Sequence, residues 1–129
     1  MVELQKAVYD SLIGDVSVGG QLVPIYDSVP QDKEFPFIVI GDDVAIDFDT
    51  DDSTGFEVTA TIHSYSDHRG MIETKQMQSI IYSILHKSSI DVFGYNCVDS
   101  FCTYQTTIIE TDGIVRHGVM RFNFILERV

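Results

Sequence analysis

Two segments of this chain alternate apolar and polar side chains with a period of two, a pattern that suits a sheet with one dry face and one wet face. Between Phe56 and His63, the residues Phe56, Val58, Ala60 and Ile62 are expected to face inward, and Glu57, Thr59, Thr61 and His63 outward. Between Gly118 and Arg128, Met120, Phe122, Phe124 and Leu126 point one way, and Arg121, Asn123 and Glu127 the other. The turn Thr111-Asp112-Gly113 joins this last strand to one over Val98 to Ile109, since Asp-Gly readily takes the positive backbone angles of a tight hairpin. Phe37-Ile38-Val39-Ile40 is a continuous apolar run, which predicts a central strand covered on both faces and continuing less regularly towards Val44 and Ile46.

Helical spacing appears twice. Leu4, Ala7, Val8 and Leu12 line one side of the segment Val2 to Ile13, with Glu3, Lys6 and Asp10 opposite. Gly14, Gly19 and Gly20 break that pattern, and the stretch to Pro36 reads as a long loop with one short strand at Val23 to Tyr26. Ser66 or Asp67 is expected to cap a second helix that buries Met77, Ile80, Ile81, Ile84 and Leu85 and keeps Glu73, Lys75 and Gln78 polar. The order helix, strands, helix, strands predicts an α+β fold: a mostly antiparallel β-sheet with two α-helices packed on one face. With 129 residues, 44% of them apolar, one domain over 1–129 is expected.

The charge balance narrows the function. Twenty acidic residues against eight basic ones give a net charge of −12, and a tight grip on DNA phosphates needs clustered cations. An acidic wall has the opposite use: it repels DNA that must slide past it, so DNA would pass without specific binding. No stretch approaches the ~18 apolar residues of a membrane span, and the opening MVELQKAVYD lacks the order of a signal peptide, so a cytosolic protein with no membrane partner is expected. Cys97 and Cys102 read as buried thiols that an uninterrupted strand would place on opposite faces, because their separation is odd.

The most conspicuous local feature is the acidic cluster Asp42, Asp43, Asp47, Asp49, Asp51 and Asp52. As a calcium loop starting at Asp47 it would need glycine where Asp52 stands and a bidentate glutamate where Val58 stands. The remaining readings are a solvated loop held open by like charges, or a loop of Asp47, Asp49, Asp51 and Asp52 that lines a channel or orders against a neighbouring subunit. His63, His68, His86 and His117 form no His-x-His or His-x-x-x-His pair, and there is no nucleophile turn or phosphate-binding glycine loop. No catalytic residue, metal ligand or cofactor is therefore assigned, although a divalent-metal-binding module or a metal-dependent hydrolase using the acidic cluster stays open as an alternative. A melting shift with divalent ions discriminates that alternative.

Three segments resemble the tail-completion, or tail-terminator, family of siphophages and gene transfer agents. They are Ile25-Tyr26-Asp27-Ser28-Val29-Pro30 with Phe35-Pro36-Phe37-Ile38-Val39-Ile40-Gly41; Ile62-His63-Ser64-Tyr65-Ser66 ahead of Arg69-Gly70; and Asp112-Gly113-Ile114-Val115-Arg116-His117-Gly118-Val119-Met120-Arg121-Phe122. With the opening helix, the resemblance runs in order along nearly the whole chain. It implies a non-enzymatic virion protein at the head-to-tail junction, made in the host cytoplasm. Such a subunit assembles, often as a hexamer, on the finished tail tube and then accepts the filled head, so its partners are its own copies, the tube protein and a head completion or connector protein. A head-side connector or stopper is the alternative placement. From the residues themselves, Glu57, Thr59 and Thr61 offer an outward polar surface, and Arg116 and His117, after a hairpin turn, are expected to be exposed and free to meet a neighbour. Pro30 and Pro36 favour an extended approach to the central strand, and Gly41 allows a bulge or a close backbone approach.

Overall fold

Leu4, Ala7, Val8 and Leu12 are the buried residues of helix α1, Val2–Leu12, in the computed structural model. The structure describes residues 1–32 and 34–129. After α1 come β1 (Ser17–Val18), β2 (Gln21–Leu22), β3 (Ile25–Tyr26), β4 (Phe37–Asp47) and β5 (Gly55–Ser66), then α2 (Ile72–Leu85), β6 (Tyr95–Ile109) and β7 (Arg116–Arg128). Five strands form one sheet in the order β3-β4-β5-β7-β6, antiparallel except for the short β3–β4 pair. The fold is α+β, with α2 packed across β5, β6 and β7 and α1 beside it.

The predicted alternation builds the core. Val58, Ala60 and Ile62 from β5 and Met120, Phe122, Phe124 and Leu126 from β7 are buried in one cluster with Leu4, Val8 and Leu12 of α1 and Met77, Ile81 and Leu85 of α2. Full burial of such a side chain contributes about 1.5–3 kcal/mol, so this face of the sheet supplies much of the driving force for folding.

Several expectations are corrected. The supposed long loop contains a second small hairpin, β1–β2, because Gly19 and Gly20 both take positive φ, +58° and +80°, as a tight two-residue turn requires. The central strand is β5; β4 has a neighbour on its outer edge only at Ile38 and Val39. Helix α2 starts at Ile72, so neither Ser66 nor Asp67 caps it; Ser66 ends β5 and its hydroxyl donates to Glu73 Oε1 at 2.7 Å. Gln78 is buried, drawn inward by the 2.8 Å hydrogen bond from its Nε2 to the Thr106 carbonyl. That close seat needs Gly118, where a Cβ would lie 2.4 Å from Ser64 Oγ and 2.8 Å from Gln78 Nε2. A bulge between Cys97 and Asp99 restores even parity, so Cys97 and Cys102 pair with Leu126 and Phe122 and share the core face instead of opposing ones. Both are free thiols that burial pushes above the ordinary cysteine value.

Gly41 does serve a bulge: the β4–β5 register shifts between Ile40 and Asp43, and a Cβ at Gly41 would lie 2.8 Å from the His63 ring.

Candidate functional site

The sheet face away from the helices carries Glu57, Thr59, Thr61 and His117 of the residues that sequence reasoning singled out, together with several it missed, whereas Arg116 pairs with Ser66 on the helix side. Register places them in rows across the strands: Ile46, Glu57, Ile125 and Asp99; then Val44, Thr59, Asn123 and Phe101; then Thr61, Arg121 and Tyr104; then Val39, His63, Val119 and Thr106; then Phe37, Tyr65, His117 and Ile108. Glu57, Thr59 and Thr61 thus form a polar stripe down the middle of this face. Apolar groups flank it, with Val44 61%, Ile46 60% and Tyr104 46% exposed. An antiparallel sheet with one wet face normally shows water mostly polar side chains, and these apolar flanks depart from that pattern.

The stripe is organised internally. Asn123, read from its position as solvent-facing, is only 7% exposed, because its Nδ2 donates to Glu57 Oε1 at 3.1 Å and to Thr59 Oγ1 at 3.3 Å. The Arg121 guanidinium lies 4.8 Å from the centre of the Tyr104 ring, and this cation–π contact holds its charge over the same face.

Arg116 and His117 differ from expectation. Strand β7 begins at Arg116, and both residues are half-buried in the ladder rather than free beyond the turn. His117 stacks on Tyr65 with ring centres 4.4 Å apart, its Nδ1 lies 2.8 Å from Glu110 Oε1, and its Nε2 lies 2.7 Å from His63 Nδ1. Cross-strand register therefore makes a histidine pair that no sequence spacing displays.

The acidic residues lie at the far end. Asp47 closes β4, and Asp49, Asp51 and Asp52 sit on the exposed β4–β5 connection. This connection is tied by hydrogen bonds from Phe48 N to the Gly55 carbonyl at 2.9 Å and from Thr50 N to the Ser53 carbonyl at 2.8 Å. β5 separates it from the 110–115 turn, and twelve residues of strand span roughly 40 Å. Among the described residues, no group of three or more His, Cys, Asp or Glu is placed to hold a metal ion, and no helix is long and apolar enough to cross a membrane.

A family model described as tail completion protein gp17 matches residues 6–127. The chain belongs to the tail completion protein gp17 family. The gp17 tail completion protein of Bacillus phage SPP1 is 24% identical over 123 residues, which cover 95% of this chain and 91% of that one. A chain from the virion of a native gene transfer agent (GTA) particle shares the fold, with a TM-score of 0.82, 19% identity, and coverage of 96% of this chain and 94% of that one. This tail completion family member is a structural tail protein of a virion, not an enzyme.

For a tail completion protein the acidic connection is a surface feature. Replacing Asp47, Asp49, Asp51 and Asp52 together by Asn should change the unfolding free energy by no more than about 0.5 kcal/mol per site, because the four are exposed and Asn keeps the oxygen that Asp49 offers to Gly55 N. Denaturant unfolding of the two proteins measures this; a large loss of stability would contradict the exposed placement.

Proposed function

We propose that residues 1–129 form one tail-completion-like domain that assembles as a homo-oligomeric ring, a hexamer, on the end of the tail tube. There it stops tube growth and presents the surface to which the head attaches. The observation that carries this is the helix-free sheet face, where Glu57, Thr59 and Thr61 run between exposed Val44 and Ile46 on one side and Tyr104 on the other. A ring subunit needs such a face, partly apolar and already ordered, because docking ordered strands costs less conformational entropy than folding a loop on contact.

In this ring the connection bearing Asp47, Asp49, Asp51 and Asp52 points to the channel. A net charge of −12 per subunit then repels passing DNA and keeps it from adhering. Arg116 and His117 belong to the opposite end of the sheet, beside the head-side or neighbouring-subunit contact.

The test is a pair of substitutions in the flanks of the stripe, Val44→Lys with Ile46→Lys. Both sites are exposed, so folding should be unchanged, whereas two charges placed on the docking face should reduce co-sedimentation with polymerised tube protein by at least ~10-fold, about 1.4 kcal/mol. Unchanged co-sedimentation would move the docking surface off this face.

A further inference from the structure

Part of each outer strand of the sheet has no neighbour, and the two open stretches match. On one edge, β3 covers β4 only at Ile38 and Val39. Phe48 N donates to the Gly55 carbonyl, and along an antiparallel ladder backbone groups turn inward and outward by alternate residues, so those of Asp43, Ala45 and Asp47 point away from β5. On the other edge, the chain after α2 covers β6 as far as Cys102: Lys87 N donates to the Ser100 carbonyl at 2.7 Å, and Cys102 N to His86 Nδ1 at 3.0 Å. Past the bulge that follows, the bond from Glu110 N to the Val115 carbonyl sets the same alternation and turns the backbone groups of Gln105, Thr107 and Ile109 outward. Among the described residues, no backbone hydrogen bond from another segment reaches any of these six.

Folded proteins blunt an open edge with lysine, proline or inward-pointing charge. The stretch Thr103 to Ile109 has no proline and no charge. Each open edge also borders a groove. Lys75, Gln78 and Tyr82 of α2 wall one of about 420 Å³ beside Gln105 and Thr107, and Met1, Val2 and Gln5 of α1 wall one of about 690 Å³ beside Ile40 and Asp43. The charges are complementary: Lys75 on the β6 side and Asp47 on the β4 side are both exposed, and neither makes an ion pair among the described residues. We propose that the open half of β6 in one copy of this chain adds as an antiparallel strand to the open half of β4 in the next copy.

Strand direction allows this joint. Three antiparallel steps separate β4 from β6, so the two run in opposite directions, and copies rotated about an axis along the strands keep those directions. Because the two edges differ, the contact is head-to-tail and repeats from copy to copy instead of closing a pair. Asp43, Ala45 and Asp47 stand opposite Ile109, Thr107 and Gln105, each pair exchanging two backbone hydrogen bonds. On the helix-free face Val44, 61% exposed, meets Ile108, 45% exposed, and Ile46 meets Thr106, β-branched pairs of the kind that stabilise a ladder. On the helix side, Asp47 comes beside Gln105 and within reach of the neighbour's Lys75. The bulge between Ile40 and Asp43 ends the ladder before Asp42 faces Glu110.

The contact rests on the ring reading and names the joint between its subunits. Val44→Cys with Ile108→Cys in one chain tests it, oxidised both alone and after incubation with polymerised tube protein, then run on a denaturing gel without reductant. Residues opposite each other at a non-hydrogen-bonded position have Cα atoms about 4.5 Å apart, inside disulfide range, so a ladder of covalent dimers and higher multimers is expected. Neither single variant should give it, which controls for the native thiols Cys97 and Cys102. Adding Thr107→Pro removes an outward N–H that the lone subunit leaves unused, so the ladder should be lost while thermal unfolding of the isolated chain stays level. Tube-bound protein without covalent multimers would overturn the edge contact and leave tube capping standing. Multimers in solution from protein that ignores the tube would do the reverse, and neither binding nor multimers would overturn both.

Discussion

Phe122→Ala should lower the unfolding free energy by about 3–5 kcal/mol. Phe122 is fully buried in the middle of β7, between Ala60 of β5 and Cys102 of β6 and beside Phe124. Truncation removes the transfer free energy of a phenyl ring and leaves a hole that the flanking strands, hydrogen-bonded on both sides, are poorly able to close. A domain of this size has only about 5–15 kcal/mol in reserve, so the variant should unfold at much lower denaturant concentration with an unchanged slope. A loss below ~1 kcal/mol would mean that this part of the core relaxes freely, against the packing described.

Gly55→Ala should destabilise by about 3 kcal/mol, at the upper end of what overpacking costs. A Cβ at Gly55 would lie 2.0 Å from the Leu126 carbonyl oxygen and 3.2 Å from Glu127 Cα, both backbone atoms that no rotamer change moves aside. The strands must part where β5 meets the end of β7, which also loosens the Phe48–Gly55 hydrogen bond beneath the acidic connection. Gly20 offers the contrast. Its Cβ would meet nothing within 4 Å, so alanine there suffers only from the positive φ of +80°. Thermal unfolding of the two variants separates crowding from conformational strain: Gly55→Ala should melt well below Gly20→Ala, and equal melting temperatures would contradict the close approach.

The fold was legible where one physical signal dominated. Alternation identified the faces of β5 and β7, helical spacing identified the buried side of α1, and Asp112-Gly113 marked the closing turn. Legibility failed where position along one strand had to be combined with register across several. Neither His63 nor His117 carries a local signal, yet β5 and β7 bring their rings within hydrogen-bond distance. Asn123 looks outward by parity and is buried by partners on a neighbouring strand. Cys97 and Cys102 changed faces because a bulge adds one residue between them, and bulges leave no reliable trace in composition. For the candidate surface, Glu57, Thr59 and Thr61 were visible as outward residues, whereas flanking Val44 and Ile46 were read only as the tail of a buried strand. Their exposure follows from the bulge between Ile40 and Asp43, which shifts the register by one residue and sets Val44 and Ile46 opposite Thr59 and Glu57 on the helix-free face.

The most direct measurement is negative-stain electron microscopy of tail-tube protein polymerised with and without the purified chain, scoring tube length and end structure. A ring-forming tube cap predicts shortened tubes, each bearing a ring of density at one end, with uncapped growth restored by Val44→Lys with Ile46→Lys. Tubes of unchanged length without an end ring, from protein that binds isolated head connectors instead, would contradict it.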